Sequence, residues 1–323
     1  MDRNDTFRIS TSMLLAAAAV LQARQDTDPA TQRNAVLARA CLHNCGAAGS
    51  RLLLAVDHLP GRLLLAALER LYLPGLSAHY AWRKHRIREW ALRSCAAGIR
   101  QVLIFGAGFD GLPLTLLARS PALRVFEIER EGNVAIKRAA LQSLELHEPR
   151  WSLIAEDLRA GSIEPLLRAL PAFEPQAPTL IVAEGVLMYM ELAEVKGLLQ
   201  NLAQVLPGAE LIATAMDRPG FGPPGFARQR PWVNRWLKRA DEPFRWGVTR
   251  IALPALLAEV DVRLNRLADP QANEDPDPSP GEWLFAGSLL YQSPNTELPE
   301  KPHGDSWSDA DHAPIADLIR SAQ

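Results

Sequence analysis

Apolar residues in the first hundred positions recur every three to four residues. The spacing runs through 12–24, 34–45, 50–56, 61–71 and 79–95, with breaks at Asp28-Pro29, Gly46, Pro60-Gly61 and Pro74-Gly75. It predicts a succession of helices. From Gln101 the pattern changes. Short apolar runs at 101–105, 123–127, 151–155, 179–184 and 209–215 alternate with helical stretches at 111–119, 131–143, 162–169 and 191–204. Five such strand–helix steps predict a parallel sheet covered on both faces, an α/β architecture. Two further strand-like runs, 260–267 and 283–292, have no helix between them, and their link over 269–281 is acidic and proline-rich, as an exposed loop would be.

Residues 217–247 interrupt the sheet pattern with Phe221, Phe226, Trp232, Trp236, Phe244 and Trp246 among arginines, prolines and glycines. Two readings are open for this stretch: a cap over a pocket, or a satellite apolar cluster under a long connection. Beyond Gln292 the chain is polar and proline-rich, which predicts a flexible tail over 293–323 with a short helix near 313–321.

The first strand, the turn after it and the end of the second strand carry candidate chemistry. Val102-Leu-Ile-Phe105 leads into Gly106-Ala-Gly108-Phe-Asp110-Gly111, and the second strand ends about twenty residues on in Glu127-Ile-Glu129. A strand, a glycine turn opening a helix, and a second strand ending in carboxylates form a nucleoside grip. The turn lets the backbone approach, and the acid takes ribose hydroxyls. Written as GxGxxG, the turn suggests NAD. Asp110 argues against that, because a carboxylate at the helix N-terminus repels a pyrophosphate. A cofactor with a positive centre and no phosphate, S-adenosyl-L-methionine, fits better.

Bulk properties narrow the partners. The 323 residues are 48% apolar and carry a net charge of −2, so nothing draws the chain as a whole to nucleic acid or an anionic membrane. Three cysteines make no disulfide framework, and Cys41-Leu-His43-Asn-Cys45 lacks a clear fourth ligand, so no metal is expected. The apolar run 13–21 has a mixed-charge flank and a poor cleavage site, and no run approaches the roughly 20 residues of a membrane span. The expectation is a cytoplasmic protein.

Four more segments join the turn. Glu156-Asp157-Leu158 closes the third strand, Glu184-Gly-Val-Leu-Met-Tyr189 the fourth and Asp217 the fifth, while Arg83 lies one helix before the sheet within Tyr80-Ala-Trp-Arg83-Lys-His-Arg86. Together they resemble the leucine carboxyl methyltransferase-like family of class I S-adenosylmethionine-dependent enzymes. The family's Gln-Val-Val-x-Leu-Gly-Ala-Gly-x-Asp-Thr-Arg is met by Gln101 to Leu112. Its Phe-Glu-Val-Asp is met by Phe126-Glu127-Ile-Glu129, and its Ala-Glu-Gly-x-Leu-x-Tyr-Leu by Ala183 to Met190. The likeness spans about residues 10–292. It departs in three places. Gly111-Leu112 replace Thr-Arg and remove a local charge partner for Asp110, Glu129 replaces Asp, and Arg83-Lys84-His85 replace Arg-Thr-Arg.

The resemblance implies a Rossmann-like, mostly parallel seven-stranded sheet. Residues 1–97 would be a helical part of the same domain, and 98–292 a core carrying the cap 217–247. It implies that Arg83 binds the methionine carboxylate by a bidentate bond, that Gly106, Gly108 and Asp110 shape the turn, and that Glu129 holds the ribose. Asp157 and Leu158 would take the adenine, Glu184 would lie under the methionine amine, and Tyr189 would face the transferring methyl. The expected activity is O-methylation of a carboxylate or hydroxyl on a small or carrier-bound metabolite. A carboxylate would need no base but an anchoring cation, for which Arg228, Arg230 and Arg235 in the cap are candidates. A phenol would profit from a base, with His79 and His85 nearest in sequence. A nicotinamide oxidoreductase and a non-catalytic S-adenosylmethionine-binding partner are the alternatives.

Overall fold

The computed structural model describes residues 9–158, 163–218, 222–268 and 280–290. Five helices precede the sheet: α1 (Thr11–Gln22), α2 (Pro29–His43), α3 (Gly46–Asp57), α4 (Leu59–Tyr72) and α5 (Leu76–Ala96). The expected break at Pro60-Gly61 is not a gap. Pro60 sits in the first turn of α4, where a missing N–H costs nothing and a fixed φ favours the helix. Ser10 caps α1, its side chain accepting from the Met13 amide.

The alternating region forms β1 (Gln101–Phe105), α6 (Leu112–Arg119), β2 (Arg124–Glu129), α7 (Glu131–Ser143), β3 (Trp151–Ala155), α8 (Ile163–Ala169), β4 (Thr179–Ala183), α9 (Leu192–Val205) and β5 (Glu210–Met216). Within the cap lies α10 (Pro231–Arg239). Then come α11 (Leu253–Ala258), which the hydrophobic pattern did not single out, β6 (Val262–Ala268) and β7 (Glu282–Leu289). The seven strands make one sheet in the order β3-β2-β1-β4-β5-β7-β6. β1 to β5 pair in parallel, and β7 runs antiparallel to both β5 and β6.

The sequence signals reflect that arrangement. β1 and β4 are buried throughout, so they read as unbroken apolar runs, as strands covered on both faces must. β3, at the edge, is only half-buried. One core cluster packs α8, α9 and α11 against the sheet. A second joins α1, α2 and α3 to Phe109 of the glycine turn and Ala140 of α7. The N-terminal helices therefore pack directly on the turn. α4 leaves Leu59, Leu63, Leu64 and Leu71 exposed. Among the described residues, no helix is long and apolar enough to cross a membrane. The expected tail, most of the acidic link and Phe221 lie outside the described residues.

Candidate active site

The strand order reverses between β1 and β4, since β2 and β3 lie on one side and β5 on the other. A crevice at the C-terminal ends of the strands is the place for a ligand in such a sheet. A cavity of ≈ 280 Å³ lies there, lined by the β1 turn, by Glu129 at the end of β2, by Asp157 and Leu158 after β3, and by Glu184 and Tyr189 after β4. All nine residues singled out from the sequence line it: Arg83, Gly106, Gly108, Asp110, Glu129, Asp157, Leu158, Glu184 and Tyr189.

The turn depends on its glycines. Gly106 has φ +61°, and a Cβ there would meet Val186 Cγ2 at 2.3 Å. Gly108 has φ +49°, and its amide donates to Glu129 Oε2 at 2.9 Å. Glu129 Oε1 accepts from the Arg130 amide at 2.7 Å. The strand end and the turn are thus fixed to each other by a carboxylate that keeps lone pairs free for a hydroxyl. Beneath the turn, Lys137 Nζ donates to the Asp110 carbonyl at 2.7 Å and to Glu127 Oε1 at 2.8 Å, both side chains of the pair being buried. Burial pushes Glu127 up to about 7 against the pull of Lys137.

A chain of alternating charges runs from the turn across the sheet. Lys84 Nζ lies 2.9 Å from Asp110 Oδ2 and 2.8 Å from Glu184 Oε2. Arg83 donates from Nε to Glu184 Oε1 and from Nη1 to Glu282 Oε2, both at 2.8 Å. His79 Nε2 lies 2.6 Å from the same Glu282 oxygen. Burial would push Lys84 down, but Asp110 and Glu184 hold it well above its ordinary value. Burial would raise Asp110 and Glu282, but Lys84 holds the first down, and Arg83 and His79 hold the second at about 2. Asp110 and Glu282 are therefore ionised at neutral pH.

Two sequence expectations change here. Gly111-Leu112 do not leave Asp110 without a charge partner, because Lys84 on α5 supplies one. Arg83 reaches the site, but Nε and Nη1 are spent on Glu184 and Glu282. A bidentate grip on a ligand through those two nitrogens is therefore closed.

Part of the aromatic stretch lies along the cavity. Phe226, Val233, Trp236, Leu237 and Phe244 line the cavity, and the returning chain is held where Arg245 and Trp246 donate their amides to the Met188 carbonyl at 2.8 and 3.2 Å. Trp246 belongs instead to the main core under α9, whereas Phe226 and Phe244 form a small separate apolar cluster with Met188 and Met216. Arg228, Arg230 and Arg235 do not line the cavity. Helix α1 contributes Thr11, Ser12, Leu14 and Leu15 to the wall, which the sequence did not signal. Neither did it signal Glu242, whose carboxylate accepts from the Thr11 amide and from Arg130 Nη2, both at 3.1 Å.

The lining is rich in negative charge. Among the described residues it holds seven carboxylates and four cations. Each cation is in an ion pair: Arg83 with Glu184 and Glu282, Lys84 with Asp110 and Glu184, Arg130 with Glu129 and Glu242, and Arg245 with Glu191. Such a site favours a ligand carrying positive charge. Burial pushes the Tyr189 hydroxyl well above its ordinary value, and the nearby Glu242 carboxylate adds to this. Tyr189 is therefore a hydrogen-bond donor and not a base.

Comparison with known proteins agrees with this geometry. The leucine carboxyl methyltransferase family profile matches residues 15–203. A Mycobacterium marinum protein provisionally named as an S-adenosyl-L-methionine-dependent methyltransferase is 30% identical over 158 residues, 49% of either chain. A Streptomyces coelicolor protein with the same provisional name is 34% identical over 137 residues, 41% of this chain and 44% of its own length. The match thus spans about half the length of these curated relatives. Two solved structures share the fold. A provisionally assigned methyltransferase from Thermobifida fusca has a TM-score of 0.55 and 16% identity, with 79% of this chain and 94% of the other aligned. A DUF574 family protein from Streptomyces avermitilis has a TM-score of 0.57 and 17% identity over 77% of this chain and 95% of the other. The sheet is that of class I methyltransferases.

Proposed function

We propose that the chain, which belongs to the leucine carboxyl methyltransferase family, transfers the methyl group of S-adenosyl-L-methionine to an oxygen, carboxylate or hydroxyl, of a small or carrier-bound metabolite. The observation that carries this reading is the convergence of four strand ends on one cavity in which carboxylates outnumber cations. A nicotinamide dinucleotide brings a pyrophosphate, which this lining repels. A sulfonium with an ammonium group brings the charge it lacks.

In this reading the chain holds the donor along the crevice. Gly106 and Gly108 admit it against the backbone, since a side chain at Gly106 would collide with Val186. Glu129 accepts from the ribose, while Asp157 and Leu158 take the adenine at the open end of β3. Glu184 lies under the methionine amine. Arg83 offers the carboxylate its remaining Nη2 edge, and Asp110 with Lys84 fixes the position of that helix over the turn. The donor supplies a methyl carbon made electrophilic by the adjoining sulfonium. The protein's part is alignment: the acceptor oxygen must stand in line with the breaking bond, near van der Waals contact. Tyr189 and the aromatic wall define that approach. The helices between residues 11 and 96 act in this scheme as part of the catalytic domain.

The test is turnover. Purified chain incubated with methyl-labelled S-adenosylmethionine and a panel of metabolite acids and alcohols should form S-adenosylhomocysteine and place the label on oxygen. Donor binding without product on any acceptor would favour a non-catalytic partner, and preference for NADH would remove the reading altogether.

A further inference from the structure

One polar atom on the cavity wall is left over from the charge chain. His79 is 1% exposed and lines the cavity, and its Nδ1 is buried with no hydrogen-bond partner. Buried polar atoms are rarely left so, and an exception calls for a ligand or a chemical role. The opposite nitrogen decides what Nδ1 can do. Nε2 faces the Glu282 carboxylate at 2.6 Å. An ionised carboxylate only accepts, so Nε2 carries a proton, and in the neutral ring Nδ1 presents a bare lone pair. Glu282 is itself fully buried and held by Arg83, so the ring has a fixed tautomer and a fixed orientation. Phe226 of the cap packs edge-on against it, with ring centroids 5.1 Å apart.

Resting on the proposed methyl transfer, we propose that His79 is a general base oriented by Glu282, and that the acceptor is a phenolic hydroxyl. Three observations converge on this. Every cation in the described lining is already in an ion pair, and the excess of acids disfavours an acceptor carboxylate. An imidazole is matched to a phenol, whose pKa near 10 lies within its reach, and not to an aliphatic alcohol. The walls beside His79, formed by Phe226, Phe244 and Tyr189, suit a ring.

The step balances without further reactants. The phenolic O–H proton passes to His79 Nδ1 as the oxygen bonds to the methyl carbon. The carbon–sulfur bond breaks with its electron pair remaining on sulfur. The products are an aryl methyl ether, S-adenosylhomocysteine and an imidazolium whose charge Glu282 offsets. Among the described residues, the charged or titratable groups facing the ring are Glu282 from β7 and Arg83 from α5, with Glu184 beyond Arg83 and Tyr189 on the adjoining wall.

The experiment uses the full chain, S-adenosylmethionine, and a panel of phenols, naphthols, nitrophenols and benzoates, reading S-adenosylhomocysteine formation against pH. Wild type should methylate phenols or naphthols on oxygen and leave the benzoates untouched. His79→Gln should lose roughly 10²–10⁴-fold in kcat on phenols of ordinary acidity, while S-adenosylmethionine affinity stays within about twofold. Its loss on nitrophenols, already ionised at the assay pH, should be far smaller. Glu282→Gln, a change to a positioning residue, should lower kcat and move the ascending limb of the pH profile. Should His79→Gln fail to fold, wild type alone decides: its rate on ordinary phenols must rise along that limb, and its rate on ionised nitrophenols must not. The assignment is overturned by a His79→Gln enzyme within twofold of wild type on ordinary phenols, by transfer to benzoates alone, or by transfer to no phenol while the donor is bound. Transfer to benzoates would leave the methyltransferase reading standing, whereas failure to bind the donor would remove both.

Discussion

At the scale of single residues, the site is a set of buried charges that exist only in company. Lys84 balances two carboxylates from different strand ends. Replacing it with Met leaves Asp110 and Glu184 facing each other in a site largely shielded from water. Lys84→Met should cost about 3 kcal/mol, read from urea unfolding, and stability equal to wild type would mean that the cation is dispensable. Glu282 offers a pH test with a definite sign. Its folded pKa, about 2, lies below the ordinary 4.5. The stability it contributes is therefore fully present above about pH 4.5 and is lost as the pH falls from there toward 2. Wild type should lose stability across that window more steeply than Glu282→Gln, and parallel curves for the two proteins would contradict the assignment.

At the scale of elements, what was legible and what was not depend on distance along the chain. The glycine turn, Glu129, Asp157 and Glu184 were legible because each stands where an apolar strand run stops, and every parallel strand in this sheet stops at the same edge. Helix α1 was not, because its apolar spacing resembles that of any packed helix, and only the fold brings it over the turn. Glu282 and His79 meet across 203 positions, which no local spacing records. The cap was half legible: aromatic density marked it, but Arg228, Arg230 and Arg235 within it do not reach the cavity. Glu242 ties three elements together, accepting from Thr11 at the start of α1 and from Arg130 after β2 while standing in the cap. Glu242→Ala should therefore loosen α1 and cost about 1–3 kcal/mol. Hydrogen exchange should show α1 amides opening at least about fivefold faster, with the β1 and β4 amides protected as before. Unchanged exchange in α1 would mean that its core contacts with α2 and α3 hold it alone.

At the scale of the whole molecule, a single sheet with one reversal of strand order places one crevice, and helices from the N-terminal part and a cap from beyond β5 close it. The elements that frame the crevice are packed by the apolar core. A ligand that supplies the missing positive charge should stabilise the chain, by about 2.7 kcal/mol at a hundredfold excess over its Kd, visible as a rise of several degrees in Tm. The central claim is that this crevice binds S-adenosylmethionine through the turn and the acid that ends β2. Calorimetric titration of S-adenosylmethionine into wild type, Asp110→Ala and Glu129→Ala tests it most directly. The account predicts one site in wild type and affinities weakened about tenfold or more in both variants, the worth of a hydrogen bond to a charged group. Unchanged affinity in both variants, or a wild type that takes up NADH in preference, would contradict it.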